Sequence, residues 1–272
     1  MRLRQQLLTR NYCYVCAGVM KPKGVMVHST GTNNPRVARY VPGDAEMGRN
    51  TGGNHWNQTN AEWKAKYGKG LNKCVHAFVG RFADGGVGTV QTLPWTMRGW
   101  HCAGGANNTH IAFEVCEDGL TDPAYFRAVY REAVELTAML CQAYCLDPLA
   151  DGVVICHQEG YRRGIASNHG DVLHWWPKMG KTMDDFRADV AREMKGEDET
   201  VTYEQWKAYM EQYRKELGAE KPAGWAVPHI EACIEAGIMA EKNGSIDRPG
   251  DFLTRQEAAV MQAMALKVAK GL

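Results

Sequence analysis

Membrane-length apolar runs are absent from this 272-residue chain. A spanning helix needs roughly 18 or more consecutive apolar residues, so insertion into a membrane is not expected. The N-terminus, MRLRQQLLTRNYCYVCAGVM, starts basic, but polar residues interrupt it before an apolar core of about 7–15 residues forms, and no signal peptide is read. Charge of one sign is missing too. With 32 Lys+Arg against 31 Asp+Glu the net charge is +1, which gives no general pull toward nucleic acid. The small imbalance is uneven: residues 196–272 hold 9 Lys+Arg against 13 Asp+Glu, or −4, leaving +5 for residues 1–195. A mildly basic first part suits an anionic polymer. Repeats of period about 20–50 are also lacking, which excludes a solenoid. The nine cysteines are an odd number with no leader segment, so a disulfide framework is not expected. Cys13 and Cys16 form a lone C-x-x-C without a second pair at zinc-ribbon spacing, and Cys141 and Cys145 sit four apart on a predicted helix.

What is present is an ordinary globular composition, 44% hydrophobic and 23% charged, long enough for one sizeable domain and a small one. Gly24-Val25-Met26-Val27, Val75-His76-Ala77-Phe78-Val79, Ile111-Ala112-Phe113-Glu114-Val115 and Val153-Val154-Ile155-Cys156 are short apolar runs bounded by turn signals, hence buried strands. Between the last two, residues 122–144 place Pro123 at a helix start and Phe126, Val129, Ala133, Leu136 and Leu140 at spacings of three and four, an amphipathic helix. Strands interleaved with a long helix make residues 1–195 an α/β domain.

Residues 196–221 are charged and helix-favouring and read as a helical linker, with Thr202-Tyr203-Glu204-Gln205 resembling a capping box. Lys221-Pro222-Ala223-Gly224 then breaks the chain. Residues 222–272 read as a small α-helical module: a helix over 226–236, a loop rich in Gly, Asn and Pro over 243–252, and a helix from Thr254.

Polar residues stationed at strand ends carry the chemistry. His28 follows Val25-Met26-Val27 and opens a loop, and His157 follows Val153-Val154-Ile155-Cys156. Two imidazoles at the ends of apolar strands, with carboxylates downstream, suit a catalytic zinc site of three protein ligands and an open fourth position. A lone strand-end histidine is more often a surface or hydrogen-bonding residue. Glu114 shares a strand face with Ala112 and Cys116, opposite Ile111, Phe113 and Val115. A charge inside an apolar strand costs free energy unless it is paired or functional; a salt bridge at the sheet rim is the other reading.

In order, VMVHST, CVHAFVGRFADG, WHCAGGANNTHIAFEV and GVVICHQEG resemble the type 2 N-acetylmuramoyl-L-alanine amidases, a family that includes phage lysozymes and peptidoglycan recognition proteins. The resemblance spans about residues 20–190. It implies a mixed β-sheet flanked by helices, one Zn2+, and His28 and His157 as ligands. The third ligand it implies is Asp171, in His169-Gly170-Asp171-Val172-Leu173-His174. Val172 stands where the family has proline, the stretch after His157 is long, and His174 and Asp184 compete for the role. The resemblance makes Glu114 the catalytic proton carrier and puts His169 in the place of an oxyanion-stabilising lysine. The implied substrate is the amide between N-acetylmuramic acid and L-alanine in peptidoglycan. His76 and His101 match motif positions, and with Trp95 and Trp100 they are candidates to line a sugar–peptide groove, though aromatics are equally often core. His55 and Trp56 fall in a polar loop, and His110 and His229 receive no role.

The tail resembles a surface-layer-homology module: Trp225 and Ala226 open one helix, Ala236-Gly237-Ile238 end it, Pro249 lies in the loop, and Thr254 with Glu257 starts the second helix. The implied partner is a secondary cell-wall polymer; a helical hairpin docked on the first domain is the alternative. Together these readings describe an endolysin, held in the host cytoplasm until released to the wall. The rivals are a non-catalytic peptidoglycan-binding protein and a zinc peptidase acting within the stem peptide.

Overall fold

Alternation along residues 25–28 sends Val25 and Val27 to one side of a strand and Met26 and His28 to the other, and both sides are buried. A strand covered on both faces belongs in the middle of a sheet, and that is its place. In the computed structural model the described residues are 1–196, 203–219, 221–239, 241–242, 245–246 and 255–270. The chain divides into two compact units, Met1–Asp198 and Glu199–Leu272.

The first unit runs β1 (Leu3–Gln5), α1 (Tyr12–Cys16), β2 (Gly24–Asn33), β3 (Gly43–Asp44), β4 (Gly48–Arg49), α2 (Asn60–Tyr67), β5 (Ala77–Arg81), β6 (Val87–Gln91), β7 (His110–Glu117), α3 (Pro123–Ala143), β8 (Val154–Cys156), α4 (His157–Arg162) and α5 (Met183–Met194). Six strands form one sheet in the order β1-β6-β5-β7-β2-β8. Only β5 and β6 pair antiparallel; the other neighbours are parallel, so the sheet is mixed.

Helix α3 forms because Asp122 accepts hydrogen bonds from the amides of Ala124 and Tyr125 (2.9 and 3.1 Å) and Pro123 occupies the first turn. Its apolar face, with Phe126, Val129, Ala133, Leu136 and Leu140 buried, packs with α5 over the side of the sheet that bears Val25, Val27, Phe113 and Val115. Full burial of each such side chain contributes about 1.5–3 kcal/mol. The opposite side, bearing Met26, Phe78, Ala112 and Cys116, is covered by Val37, Tyr40, Trp56 and Leu71 from the segments around β3, β4 and α2. The domain is a central mixed sheet flanked by helices, as expected. One expectation needs correction. His28 does not open a loop, because β2 continues to Asn33 and stays paired with β7 through Ser29.

The second unit contains α6 (Tyr203–Ala219), α7 (Val227–Glu235), the antiparallel pair β9 (Glu241–Lys242) and β10 (Ser245–Ile246), and α8 (Arg255–Ala269). The two helices expected in the tail are joined through this small ladder rather than by loop alone. The expected caps Thr202 and Thr254, and Pro249, lie outside the described residues. No helix among the described residues is long and apolar enough to cross a membrane.

Candidate metal centre

Three neighbouring parallel strands, β8, β2 and β7, meet at the level where β8 ends at Cys156, while β2 and β7 run on to Asn33 and Glu117. The register sets Val27 beside Cys156 and His28 beside Glu114. In-register residues on parallel strands share a face, with strands about 4.8 Å apart, so His28 and Glu114 stand side by side. His157 is the first residue of α4, directly after Cys156, and its ring centroid lies 4.8 Å from that of His28. The carboxyl ends of such strands are where open α/β sheets bind ligands.

Asp171 reaches the same point from a 3-10 turn, Asp171–His174. Its Oδ2 lies 2.7 Å from His157 Nδ1 and 3.3 Å from His28 Nδ1. The ligand atoms of His28, His157 and Asp171 all lie within 4.8 Å of one another, and among the described residues this is the one group of its kind. Tetrahedral zinc with bonds of about 2.0–2.1 Å holds neighbouring ligand atoms roughly 3.3 Å apart. Two imidazole nitrogens and a carboxylate oxygen, converging at that spacing, fit such an ion.

The electrostatics agree with the geometry. Burial lowers the pKa of His28, against the pull of Asp171, and keeps the imidazole neutral. Burial alone would raise Asp171, but the hydrogen bonds from His157 and His28 prevail and hold its carboxyl well below the usual range. Glu114 is pushed well above its usual range, first by burial and then by the charge of Asp171. Its Oε2 is buried with no protein hydrogen-bond partner.

Around these residues lies a supporting set. His101 Nδ1 is 3.0 Å from His28 Nε2, and Asn107 Oδ1 fixes that segment by accepting from the amides of His101 and Cys102 (2.8 and 3.1 Å). His157 Nε2 lies 3.2 Å and His169 Nδ1 3.1 Å from Ser167 Oγ, whose hydroxyl donates to the Cys102 carbonyl at 3.1 Å. The exposed His169 ring lies against His157, centroids 4.6 Å apart. Sequence reasoning missed Ser167 and gave Asn107 no separate role. The asparagine stood inside a quoted motif, whereas nothing marked Ser167.

The other sequence candidates go elsewhere. His174 pairs with Glu117 at 3.0 Å, and the 92% exposed Asp184 pairs with Arg187 at 2.7 Å. His76 is fully buried: Nδ1 accepts the Ala112 amide at 3.0 Å and Nε2 lies 2.7 Å from the Met97 carbonyl. With both nitrogens held by backbone it has none to offer a groove. Trp95 is half-buried against the apolar core. Trp100, 41% exposed, stacks under Arg98 at 4.8 Å and lines a separate cleft of about 450 Å³ with Tyr12, Asn60 and Asn72.

Residues 18–173 match the family described as N-acetylmuramoyl-L-alanine amidase. The chain belongs to this family. The amidase is similar to three solved structures. The hydrolase AmiA of Staphylococcus aureus, in complex with its ligand, is 20% identical, over 73% of this chain and 86% of that one, with TM-score 0.46. PlyL is 19% identical over 70% and 97%, with TM-score 0.46. The N-acetylmuramoyl-L-alanine amidase LysC of Clostridium intestinale is 12% identical over 67% and 99%, with TM-score 0.37. No curated protein matches the amidase. The family match covers every residue of the group His28, His157 and Asp171, and Glu114 with them.

Proposed function

We propose that this amidase is a zinc-dependent peptidoglycan lysin that cleaves the amide between the lactyl group of N-acetylmuramic acid and L-alanine. The observation that carries the reading is the convergence of His28, His157 and Asp171 beside the half-buried Glu114, whose buried Oε2 has no protein partner. Zinc held by these three residues would supply Lewis acidity, which activates water and polarises a carbonyl. Glu114 accepts the proton of the attacking water at Oε2 and delivers it to the leaving amine of L-alanine. His169, as an imidazolium donating from Nδ1 to Ser167 Oγ, directs its Nε2–H to the developing oxyanion. Were zinc bound at Nδ1 of His28, its Nε2 would carry the hydrogen and donate to His101 Nδ1, 3.0 Å away, a pairing that orients ligands in metal sites.

The tail is assigned to binding a secondary cell-wall polymer, supported by the pattern from Trp225 to Ala258 and by the 78% exposure of Trp225. The whole reads as an endolysin that meets its substrate at the wall. Digestion of purified sacculi followed by mass spectrometry tests the cleaved bond. The expected product is a sugar-free stem peptide beginning with L-alanine; fragments cut within the stem peptide would make it a peptidase instead. Metal analysis completes the test. His28→Ala and His157→Ala should each hold less than one zinc per chain and release no stem peptide.

A further inference from the structure

Asp171 has a backbone φ of 42°, a left-handed value that a residue with a Cβ avoids unless its surroundings impose it. The carboxylate end of the turn is held by the two histidines. The far end is held differently. Three residues on, His174 Nε2 lies 3.0 Å from Glu117 Oε1. A carboxylate oxygen accepts, so Nε2 donates. Glu117 is 4% exposed and ends β7. Its Oε1 also accepts the Gly31 amide of β2 at 3.2 Å, while its own amide donates to Thr30 Oγ1 at 3.2 Å. One buried carboxylate therefore ties the Asp171–His174 turn to β2 and β7, which carry His28 and Glu114.

We propose that His174 and Glu117 are positioning residues of the metal centre. Their hydrogen bond keeps the turn seated on β2 and β7, so the Asp171 carboxylate stands preformed between His28 and His157. The inference rests on the reading of Asp171 as a ligand. Neither positioning residue belongs to the group whose ligand atoms converge.

The test measures zinc affinity of the full chain by competition with a chromogenic chelator, alongside melting of the metal-free protein. His174→Ala and Glu117→Ala should each weaken zinc binding by about 10–100-fold. The double variant should be no weaker than the worse single one. Glu117→Gln, which keeps an accepting oxygen, should stay within about threefold of the parent. The His174 side chain is 40% exposed, so His174→Ala carries the test even if Glu117→Ala fails to fold. A merely structural pair would lower metal-free melting and leave zinc affinity unchanged. Parental affinity in His174→Ala, with metal lost in Asp171→Ala, overturns the positioning role alone. Parental affinity in Asp171→Ala overturns the ligand assignment and the positioning role with it.

Discussion

Glu114, half-buried, and His76, fully buried, are both titratable, yet their surroundings differ. Glu114 has an oxygen without a protein partner, whereas both ring nitrogens of His76 are taken by backbone. Unmet hydrogen-bonding capacity at a buried carboxyl costs stability, and its place beside His28 gives that cost a purpose. Glu114→Gln should keep one zinc per chain, because Glu114 is no ligand, while turnover falls about a hundredfold or more. Paired metal analysis and muropeptide kinetics check this; activity within a fewfold of the parent would make Glu114 structural. His76 predicts a pH dependence of folding. Burial lowers its pKa from 6.5 to about 4. Above 6.5 the folded and unfolded chains both leave it neutral. Between the two values the unfolded chain takes up a proton that the folded chain refuses. Its contribution is therefore complete above 6.5, declines as the pH falls, and is gone below about 4. The total lost is roughly 3 kcal/mol. Urea unfolding in a chelator should show His76→Asn less stable than the parent at pH near 7.5 but losing less between there and pH near 4.5. Equal slopes would refute it.

Among the elements, α3 fixes the apolar face of the sheet, and its start depends on Asp122. Asp122→Ala removes the acceptor for the Ala124 and Tyr125 amides and should cost about 1 kcal/mol. Chemical denaturation measures it; an unchanged midpoint would mean that Pro123 alone sets the helix start. This helix, the strands holding His28 and Glu114, and the strand that ends just before His157 were legible because their apolar spacing is repetitive and local. Strand β1, Leu3-Arg4-Gln5, was not, since a short polar edge strand is defined only by its distant partners Thr89, Val90 and Gln91. The polar tail of β2 read as loop for the same reason, although long-range pairing keeps it extended. Local sequence equally hid the partners of His76, which lie 21 and 36 residues away, and the left-handed turn that brings Asp171 back to the histidines. Asp171 emerged from the family resemblance, not from spacing.

At the scale of the molecule, no residue of the proposed centre lies beyond His174, and the first compact unit ends at Asp198. A chain truncated after Lys195 should fold and cleave soluble muropeptide at close to the full rate, while its lysis of intact cells falls, because the wall binding proposed for the tail would raise the local concentration of the catalytic unit. Both rates and one melting curve decide it. Equal loss on soluble and cellular substrate, with lower melting, would make the tail a structural appendage. Directly beyond the Asp171 turn, Trp175 and Trp176 are almost fully buried, against Phe126 and against Tyr130 and Phe186. The turn cannot swing away without drawing indoles from apolar packing toward water. Tryptophan emission should therefore move to longer wavelength whenever the turn unseats, so the protein carries its own fluorescent gauge of whether that carboxylate is in place.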